Sequence, residues 1–385
     1  KEIHQTIEPV ALGLEAGLPF MRLLRSHLDD LFVPVSEAGP PRPNDPALYA
    51  KEHSDTAFLT DRFLEEMAKL PQGGWFAHVT FLRPHPPWVA PAPYNTLYDP
   101  AHLPLPDRLG TAKDEEGIHP FLAATMRAAN VSDAVAGQPG LTASDGTVRI
   151  LRSVYLGLVT ELDHHLGRII AFLKETGQYD ETLIIFTADH GEMLGDRRSW
   201  GKMSVHDAAF HIPLIIRMPD ASGQAGREVA LPTEAIDIMP TILDWVGQDV
   251  PNAVDGRSLI PLLEGADPAH WRDYTYSELD FGDPLEATVW QAMLGSETSA
   301  SNLAILREDR FSLVEFACDI EPILFDRQSG ATENLARSPC YAEELARLTR
   351  KMLRHRMVNA DHTLSLVSIT EHGAVGAKRR RTGPA

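Results

Sequence analysis

A long amphipathic helix that leads directly into a short apolar strand constrains the fold of this chain most. Apolar residues recur mostly at three- and four-residue steps over residues 151–173, which predicts one long helix that ends near Gly177. The short apolar run over residues 182–188 is typical of a parallel strand covered on both faces, and residues 212–216 form another. A helix predicted over residues 233–246 follows. This order of elements indicates an α/β fold with a mainly parallel sheet flanked by helices.

The flanking segments complete the predicted organisation. Ser54 offers N-cap chemistry to a helix that ends near Leu70, and residues 75–82 read as a buried strand. After about residue 270, short β-like runs predict a smaller antiparallel sheet, and a helix over residues 343–358 follows. The runs cover residues 273–279, 287–293, 302–306, 311–316 and 322–325. The expected domains are an N-terminal helical and linker segment over residues 1–50, an α/β core over 51–268, a C-terminal α+β subdomain over 269–360 and a tail over 361–385.

Charge and cysteine content exclude several classes of protein. The 385 residues carry 35 Lys and Arg against 54 Asp and Glu, a formal net charge of -19 that disfavours nucleic acid as a partner. The only two cysteines, Cys318 and Cys340, have no paired spacing, so a disulfide scaffold or a thiolate zinc site is not expected. No apolar run approaches the roughly 20 residues that cross a bilayer. We therefore expect no membrane partner and a cytoplasmic location. A homo-oligomer is also expected. The basic run over residues 378–381 is interpreted as a chain end without a binding role.

Asp189 and His190 are the sharpest chemical feature of the sequence. They follow a predicted buried strand directly, and ligands bind outside the carboxyl ends of strands in parallel α/β sheets. A carboxylate and an imidazole are good ligands for a divalent metal ion, and Gly191 permits a tight exit from the strand. The alternative is that Asp189 caps a turn and His190 is a packed loop residue.

Four further residues are candidates for contact with an anionic ester. Lys202 lies in the polar loop after that motif and could stabilise an anionic oxygen. His85 is flanked by Pro84 and Pro86, which restrict its backbone. A histidine held in this way suits general-acid catalysis or a hydrogen bond to an anionic ligand. Arg83 and, more weakly, His206 are candidates for substrate binding. Each residue also has an alternative interpretation without a ligand. Lys202 would be a solvated lysine and His85 a histidine in a Pro-rich connector, whereas Arg83 would have a structural role and His206 would be an ordinary loop residue.

The order of these motifs resembles the sulfatase family of the alkaline phosphatase superfamily. The matching residues are Glu161 to Asp163, Gly167-Arg168, 173–177, 182–192, 194–196, Gly201-Lys202, 212–216, 237–241, 255–259, 324–326 and Glu333-Asn334. They cover most of residues 50–335 in the family's order. The run from Arg83 to Pro87, the stretch over residues 357–366 and the histidine at position 190 are most similar to the phosphonate monoester hydrolase and phosphodiesterase branch, which is close to arylsulfatases.

The resemblance implies a metal-dependent hydrolase with an alkaline-phosphatase-like fold. In the family, one divalent metal ion activates a formylglycine hydrate that attacks sulfur or phosphorus. By resemblance, Asp189 and His190 match metal ligands, and Lys202 and His85 match the residues that contact the substrate and assist the leaving group. Calcium or manganese is the expected metal, with magnesium or zinc as alternatives. The substrate would be a small anionic sulfate ester, phosphonate monoester or phosphodiester.

One departure from the family pattern concerns the nucleophile. The C/S-x-P-x-R motif, from which formylglycine is made, occurs nowhere in the sequence, and the paired acidic metal ligands of the family's N-terminal strand are also absent. We therefore expect the chain to correspond to the C-terminal part of such an enzyme, without turnover as it stands. Two alternatives stay open: a superfamily phosphodiesterase or phosphomutase with a Ser or Thr nucleophile, and a non-catalytic remnant that binds anions or only oligomerises.

Overall fold

The computed structural model describes residues 34–36, 41–219, 225–251, 254–266, 268, 270–359 and 367–376. These residues form two compact units with interleaved segments. The first unit comprises residues 34–36 and 41–108, Ala129–Thr182 and Glu192–Lys202, and the second comprises Leu109–Ala128, Leu183–Gly191 and the described residues from Met203 onward. The amphipathic pattern of residues 1–32 and the basic run at 378–381 lie outside the described residues.

The described chain begins with four α-helices, and strands occur only after residue 183. The helices are α1 Asp55–Met67, α2 Ala112–Glu116, α3 Pro120–Ala128, α4 Asp145–Glu175, α5 Asp207–Phe210, α6 Ile238–Trp245, α7 Ile260–Leu263, α8 Val289–Leu294 and α9 Ala342–Asn359. The strands are β1 Ile184–Thr187, β2 Leu214–Arg217, β3 Thr275–Asp280, β4 Asn302–Arg307, β5 Phe311–Phe316, β6 Ile323–Asp326, β7 Val367–Thr370 and β8 Gly373–Gly376. Among the residues described, no helix is both long and apolar enough to span a bilayer.

Two capped helices build the first unit. The Ser54 hydroxyl accepts a hydrogen bond from the Ala57 N–H at 3.0 Å, which confirms the predicted N-cap of α1. Ser144 caps α4 in the same way, so the long predicted helix begins six residues before its first apolar repeat and runs for 31 residues. One face of α4 is buried in an apolar cluster together with Trp88 and Trp200. The buried residues of that face include Val148, Leu151, Val154 and Leu158.

The strand predicted over residues 75–82 is wrong. These residues have no regular secondary structure, and Phe76 and Leu82 are exposed. An apolar run becomes a strand only where a neighbouring strand satisfies its backbone groups, and none of the described sheets includes this segment.

The second unit contains the predicted strands β1 and β2, but in the opposite relative direction. They pair antiparallel, from Ile184 opposite Arg217 to Thr187 opposite Leu214, whereas the sequence pattern favours parallel strands covered on both faces. Parallel neighbours need a crossover connection, usually a helix. Between β1 and β2 the chain forms the 3₁₀ turn Asp196–Arg198 and the four-residue helix α5, so it has no long crossover helix.

The predicted C-terminal antiparallel sheet is confirmed. Strands β3, β4, β5 and β6 pair in chain order, and each neighbouring pair is antiparallel. Leu303 and Ile305 pack on one face with Phe121 of α3, and Leu306 and Leu313 pack on the other face with α9. The run over residues 287–293 is helix α8 and not a strand, because the Thr288 side chain forms a capping box with Gln291.

Candidate active site

The loop over residues 83–88 presents His85 to solvent in the first unit. The backbone N–H of His85 donates to the Leu82 carbonyl at 3.0 Å, and the ring Nδ1 lies 2.6 Å from the Pro86 carbonyl oxygen. A carbonyl oxygen only accepts hydrogen bonds, so Nδ1 carries the hydrogen and Nε2 is the nitrogen that can face a ligand. The ring therefore has a set orientation.

Arg83 lies beneath this loop and not on its surface. Its side chain is 1% exposed. Nη1 donates to the carbonyls of His85 at 3.1 Å and Pro87 at 2.7 Å, and Nε donates to Asp55 Oδ1 at 3.3 Å. This burial argues against the expected direct contact between Arg83 and a substrate, because a ligand in solvent cannot reach the enclosed guanidinium.

A buried carboxyl group accompanies Arg83, and sequence reasoning missed it. Glu161 of α4 is 1% exposed, and burial raises its pKa to about 7, with a smaller rise from the charge of Asp55. A hydrogen bond to Ser54 and the charge of Arg83 act in the opposite direction. Tyr49 faces the same charges, and its burial raises the pKa of its phenol to about 12. Its two sequence signals were its place in the family match Glu161 to Asp163 and its position as an acidic residue on the apolar face of a predicted helix, and neither assigned it a role.

Glu192 organises the segment that ends in Lys202. Its Oε1 accepts hydrogen bonds from the backbone N–H groups of Gly201 at 2.6 Å and Leu194 at 3.2 Å. The Met193 N–H donates to the Gly201 carbonyl at 2.9 Å, so both polar backbone groups of Gly201 are held. Lys202 itself is exposed. The carboxylate of Glu192 thus restrains the backbone immediately before the predicted catalytic lysine.

Two tryptophans join the loop of His85 to the segment of Lys202 within the first unit. The rings of Trp88 and Trp200 lie 6.0 Å apart, and Trp88 meets Tyr155 edge-on at 5.5 Å. The indole N–H of Trp88 donates to the Pro84 carbonyl at 2.9 Å. Sequence reasoning assigned neither tryptophan a role, although each lies within three residues of a predicted catalytic residue.

Asp189 and His190 follow β1 in the second unit. The side chain of Asp189 is 87% exposed, and its Oδ2 lies 3.5 Å from His190 Nε2. His190 Nδ1 lies 2.8 Å from the Gly191 carbonyl, which places the hydrogen on Nδ1 and leaves the lone pair of Nε2 for a metal ion. The two donors therefore fit part of a ligand set. In the described ranges, no group of three or more His, Cys, Asp or Glu residues could hold a metal ion.

Gly191 shapes the turn behind this pair. Its N–H donates to the Ala209 carbonyl at 2.8 Å, and a Cβ at this position would lie 1.9 Å from the Ala208 carbonyl oxygen. Only glycine allows the two backbones to approach this closely. The backbone that carries Asp189 and His190 is therefore held against helix α5, which precedes β2 in the chain.

The segment around His206 is anchored to the C-terminal sheet. The His206 ring stacks on Phe325 with a centroid separation of 5.4 Å. Asp207 forms ion pairs with Arg307 at 3.3 Å and Arg327 at 2.9 Å, and despite burial these partners hold its pKa below the ordinary value. The weak expectation that His206 binds substrate stays a prediction.

Comparison with known proteins identifies the family. The sulfatase family model matches residues 28–248, which is more than half of the chain. The chain belongs to the sulfatase family. A second family model, described as the N-sulphoglucosamine sulphohydrolase C-terminal region, matches residues 195–358. The resemblance predicted from the motifs is thereby confirmed.

Among sulfatase-family structures, the chain is similar to two phosphonate monoester hydrolases. With the enzyme from Silicibacter pomeroyi it shares 56% identity and a TM-score of 0.90 over 95% of this chain and 74% of that chain. With the enzyme from Agrobacterium radiobacter it shares 36% identity and a TM-score of 0.84 over 93% of this chain and 72% of that chain. These likenesses confirm the alkaline-phosphatase-like fold.

Curated relatives give the same family and show how much of their length is matched. The chain is 37% identical to the multifunctional alkaline phosphatase superfamily protein PehA of Trinickia caryophylli, over 89% of this chain and 67% of that protein. It is 27% identical to an arylsulfatase of Clostridium perfringens, over 74% of this chain and 54% of that protein. The chain thus spans about half to two thirds of these relatives.

Proposed function

We propose that the natural-length protein hydrolyses phosphonate monoesters, phosphodiesters or sulfate esters with the help of a divalent metal ion. The observation that carries this proposal is the 56% identity, over 95% of this chain, to a phosphonate monoester hydrolase. The exposed carboxylate of Asp189, the half-buried imidazole of His190 and the oriented imidazole of His85 agree with that chemistry.

Asp189 and His190 would contribute two ligands to the metal ion. The carboxylate Oδ2 and the imidazole Nε2 are the donor atoms, and calcium or manganese is the expected occupant. A bound divalent cation would polarise the ester and favour a deprotonated nucleophile. The C/S-x-P-x-R motif does not occur in the 385 residues, so we assign the nucleophile to none of them.

Lys202 and His85 would act on the developing charges. The ammonium group of Lys202 would stabilise negative charge on a nonbridging oxygen of the sulfate or phosphonate group. As an imidazolium, His85 would transfer its Nε2 proton to the ester oxygen while the bond from that oxygen to phosphorus or sulfur breaks, so that a neutral alcohol leaves. The Nδ1–H group would keep its hydrogen bond to Pro86 throughout and leave the ring a neutral tautomer.

The test is an assay of the natural-length protein on an aryl phosphonate, a phosphodiester and a sulfate ester. Chelator treatment followed by single additions of calcium, manganese, magnesium and zinc would identify the metal. His85→Ala should lower kcat/KM by about 10²- to 10⁴-fold. The exposed His102, also in the first unit, provides the control His102→Ala, which should leave kcat/KM unchanged. Absence of hydrolysis with all three esters and all four metals would refute the proposal and favour a non-catalytic anion-binding protein.

We also propose a cytoplasmic homo-oligomer. The small number of cysteines supports a reducing compartment. Light scattering of the purified natural-length protein would measure its oligomeric state, and a monomer at micromolar concentration would contradict the second part of the proposal.

A further inference from the structure

We propose that Arg83 is the positioning residue of His85, and that it acts by holding the loop carbonyls on both sides of the imidazole. This inference rests on the proposed function, because it assigns Arg83 an effect on the proton transfer by His85. It replaces the substrate contact expected for Arg83 with an indirect role.

The hydrogen bonds of the guanidinium carry the argument. Nη1 donates to the carbonyl of His85 itself and to that of Pro87, two residues later. The two bonds restrain the peptide units around Pro86, whose own carbonyl accepts from the imidazole Nδ1. The direction of the His85 ring therefore depends on a backbone that Arg83 restrains. A lysine could not make these two bonds together with the bond from Nε to Asp55, since it has one donor nitrogen where the planar guanidinium has three.

The position of the guanidinium is itself determined by two helices. Asp55 at the start of α1 accepts from Nε at 3.3 Å, and Glu161 of α4 places a buried carboxyl group near Arg83. A buried guanidinium without nearby carboxyl groups would be costly, so these groups favour one location for it. Arg83 thus connects the loop of His85 to the helical framework of the first unit.

A separate contact holds the far end of the loop without Arg83. Trp88 is 1% exposed, its indole donates to the Pro84 carbonyl, and its backbone N–H donates to the Ala134 carbonyl at 2.6 Å. Loss of the two hydrogen bonds from Arg83 Nη1 should therefore loosen the residues around His85 while the loop remains attached. The expected defect is in catalysis more than in folding.

A change of leaving group distinguishes positioning from a general structural role. His85 protonates the leaving oxygen, so its orientation matters most when that oxygen is a poor leaving group. A phenyl ester of a phosphonate needs this assistance more than the 4-nitrophenyl ester of the same acid. A variant that misorients His85 should therefore lose more activity on the phenyl ester, and His85→Ala should show the same preference.

The experiment is a double-mutant cycle in the natural-length enzyme, assayed on both esters. Arg83→Lys should lower kcat on the phenyl ester by about 10- to 100-fold with little change in KM, since small misplacements of a catalytic group cost about that much. In the His85→Ala background the same substitution should change kcat by less than about threefold. Arg62→Lys, at a partly exposed arginine of α1, is the control and should change neither parameter.

Each outcome decides the inference. An equal loss from Arg83→Lys in both backgrounds, or on both esters, would overturn the positioning role and leave the proposed function intact. If His85→Ala leaves kcat unchanged on both esters, the proposed role of His85 is wrong and this inference fails with it. If Arg83→Lys does not fold, Asp55→Asn, which weakens the placement of the guanidinium, takes its place in the cycle with the same expected non-additivity.

Discussion

The loop of His85 and the turn of Asp189 and His190 are held in different ways. Within the first unit, His85 is supported by a buried guanidinium, a nearby carboxyl group and the ring of Trp88. Within the second unit, the side chain of Asp189 is almost fully exposed, and its carboxylate accepts a hydrogen bond from the N–H of the neighbouring His190. The turn that carries it depends on the close approach of Gly191 to α5.

The difference matches the chemistry proposed for each residue. A proton donor must point in one direction before the ester arrives, so polar bonds beneath the loop have a purpose. Metal ligands obtain much of their order from the ion that they bind, and only their backbone has to be in place beforehand. Four changes test this contrast, from the largest expected effect to the smallest.

Gly191→Ala should have the largest effect on stability. The new methyl group would lie 1.9 Å from a backbone carbonyl oxygen, and a backbone atom cannot rotate away as a flexible side chain can. We expect a loss of at least about 3 kcal/mol in the free energy of unfolding, measured by denaturant titration. The control is Gly140→Ala, where the methyl group meets nothing within 4 Å and should cost little. Equal stability of the two variants would show that the turn is not held by this approach.

Glu161→Gln should change how stability depends on pH. The folded state raises the pKa of Glu161 from 4.5 to about 7, so the folded protein binds the proton more tightly than the unfolded chain does. The stabilisation is complete below pH 4.5 and is lost as the pH rises through about 7. At roughly 1.4 kcal/mol per pKa unit, the loss reaches about 3 kcal/mol.

The measurement is denaturant unfolding of wild type and variant at pH 5 and pH 8. The wild type should lose stability over this interval, and Glu161→Gln should lose much less, because a glutamine has no proton to release. The charged or titratable groups that face Glu161 are Tyr49, Asp55, Arg83 and Tyr94. The control Glu175→Gln, at an exposed end of the same helix, should keep the wild-type dependence. Parallel pH profiles for all three proteins would contradict the prediction.

The aromatic contact between Trp88 and Trp200 should give a smaller effect. Trp88→Leu and Trp200→Leu each remove packing, but the quantity of interest is their coupling in a double-mutant cycle of unfolding free energies. Rings at this separation should couple by about 1 kcal/mol. Additive losses would mean that the loop of His85 and the segment of Lys202 are stabilised independently. Trp75 and Trp88 form the control pair, since Trp75 instead bonds to Gln178.

The helices could be predicted because their periodicity and caps are local. Strand pairing could not be predicted, because it depends on contacts between residues far apart in the sequence. The apolar repeat of α4 and the Ser54 cap of α1 are encoded within a few residues, and both are present. Strand β1 was also predicted, but its antiparallel pairing with β2 was not, because apolar content says nothing of a strand's direction. Residues 75–82 form an apolar run like that of β1, but they pair with no strand in the described sheets.

The same limit applies to the candidate site. The sequence predicted Asp189 and His190 as ligands because they follow a strand directly. In the structure the Asp189 carboxylate is exposed, and the Nδ1 contact of His190 leaves the lone pair of Nε2 for a ligand. It did not predict the support of His85, because Arg83 contacts Asp55, 28 residues away, and Glu161 lies still further along the chain. A buried arginine and an exposed one look alike in a sequence, and only tertiary packing separates them.

Asp189→Asn should have the smallest effect on stability. It therefore tests most directly whether the fold depends on the exposed side chain of Asp189 less than on the buried groups that support His85. Its side chain is exposed, and asparagine keeps an oxygen that can accept the hydrogen bond from the His190 N–H. We expect the free energy of unfolding of the 385-residue chain to change by less than about 0.5 kcal/mol. In the natural-length protein the same change should lower metal content after dialysis, because a neutral amide is a weaker ligand than a carboxylate. A large loss of stability without metal would show that Asp189 supports the fold, and unchanged metal content would remove it from the ligand set.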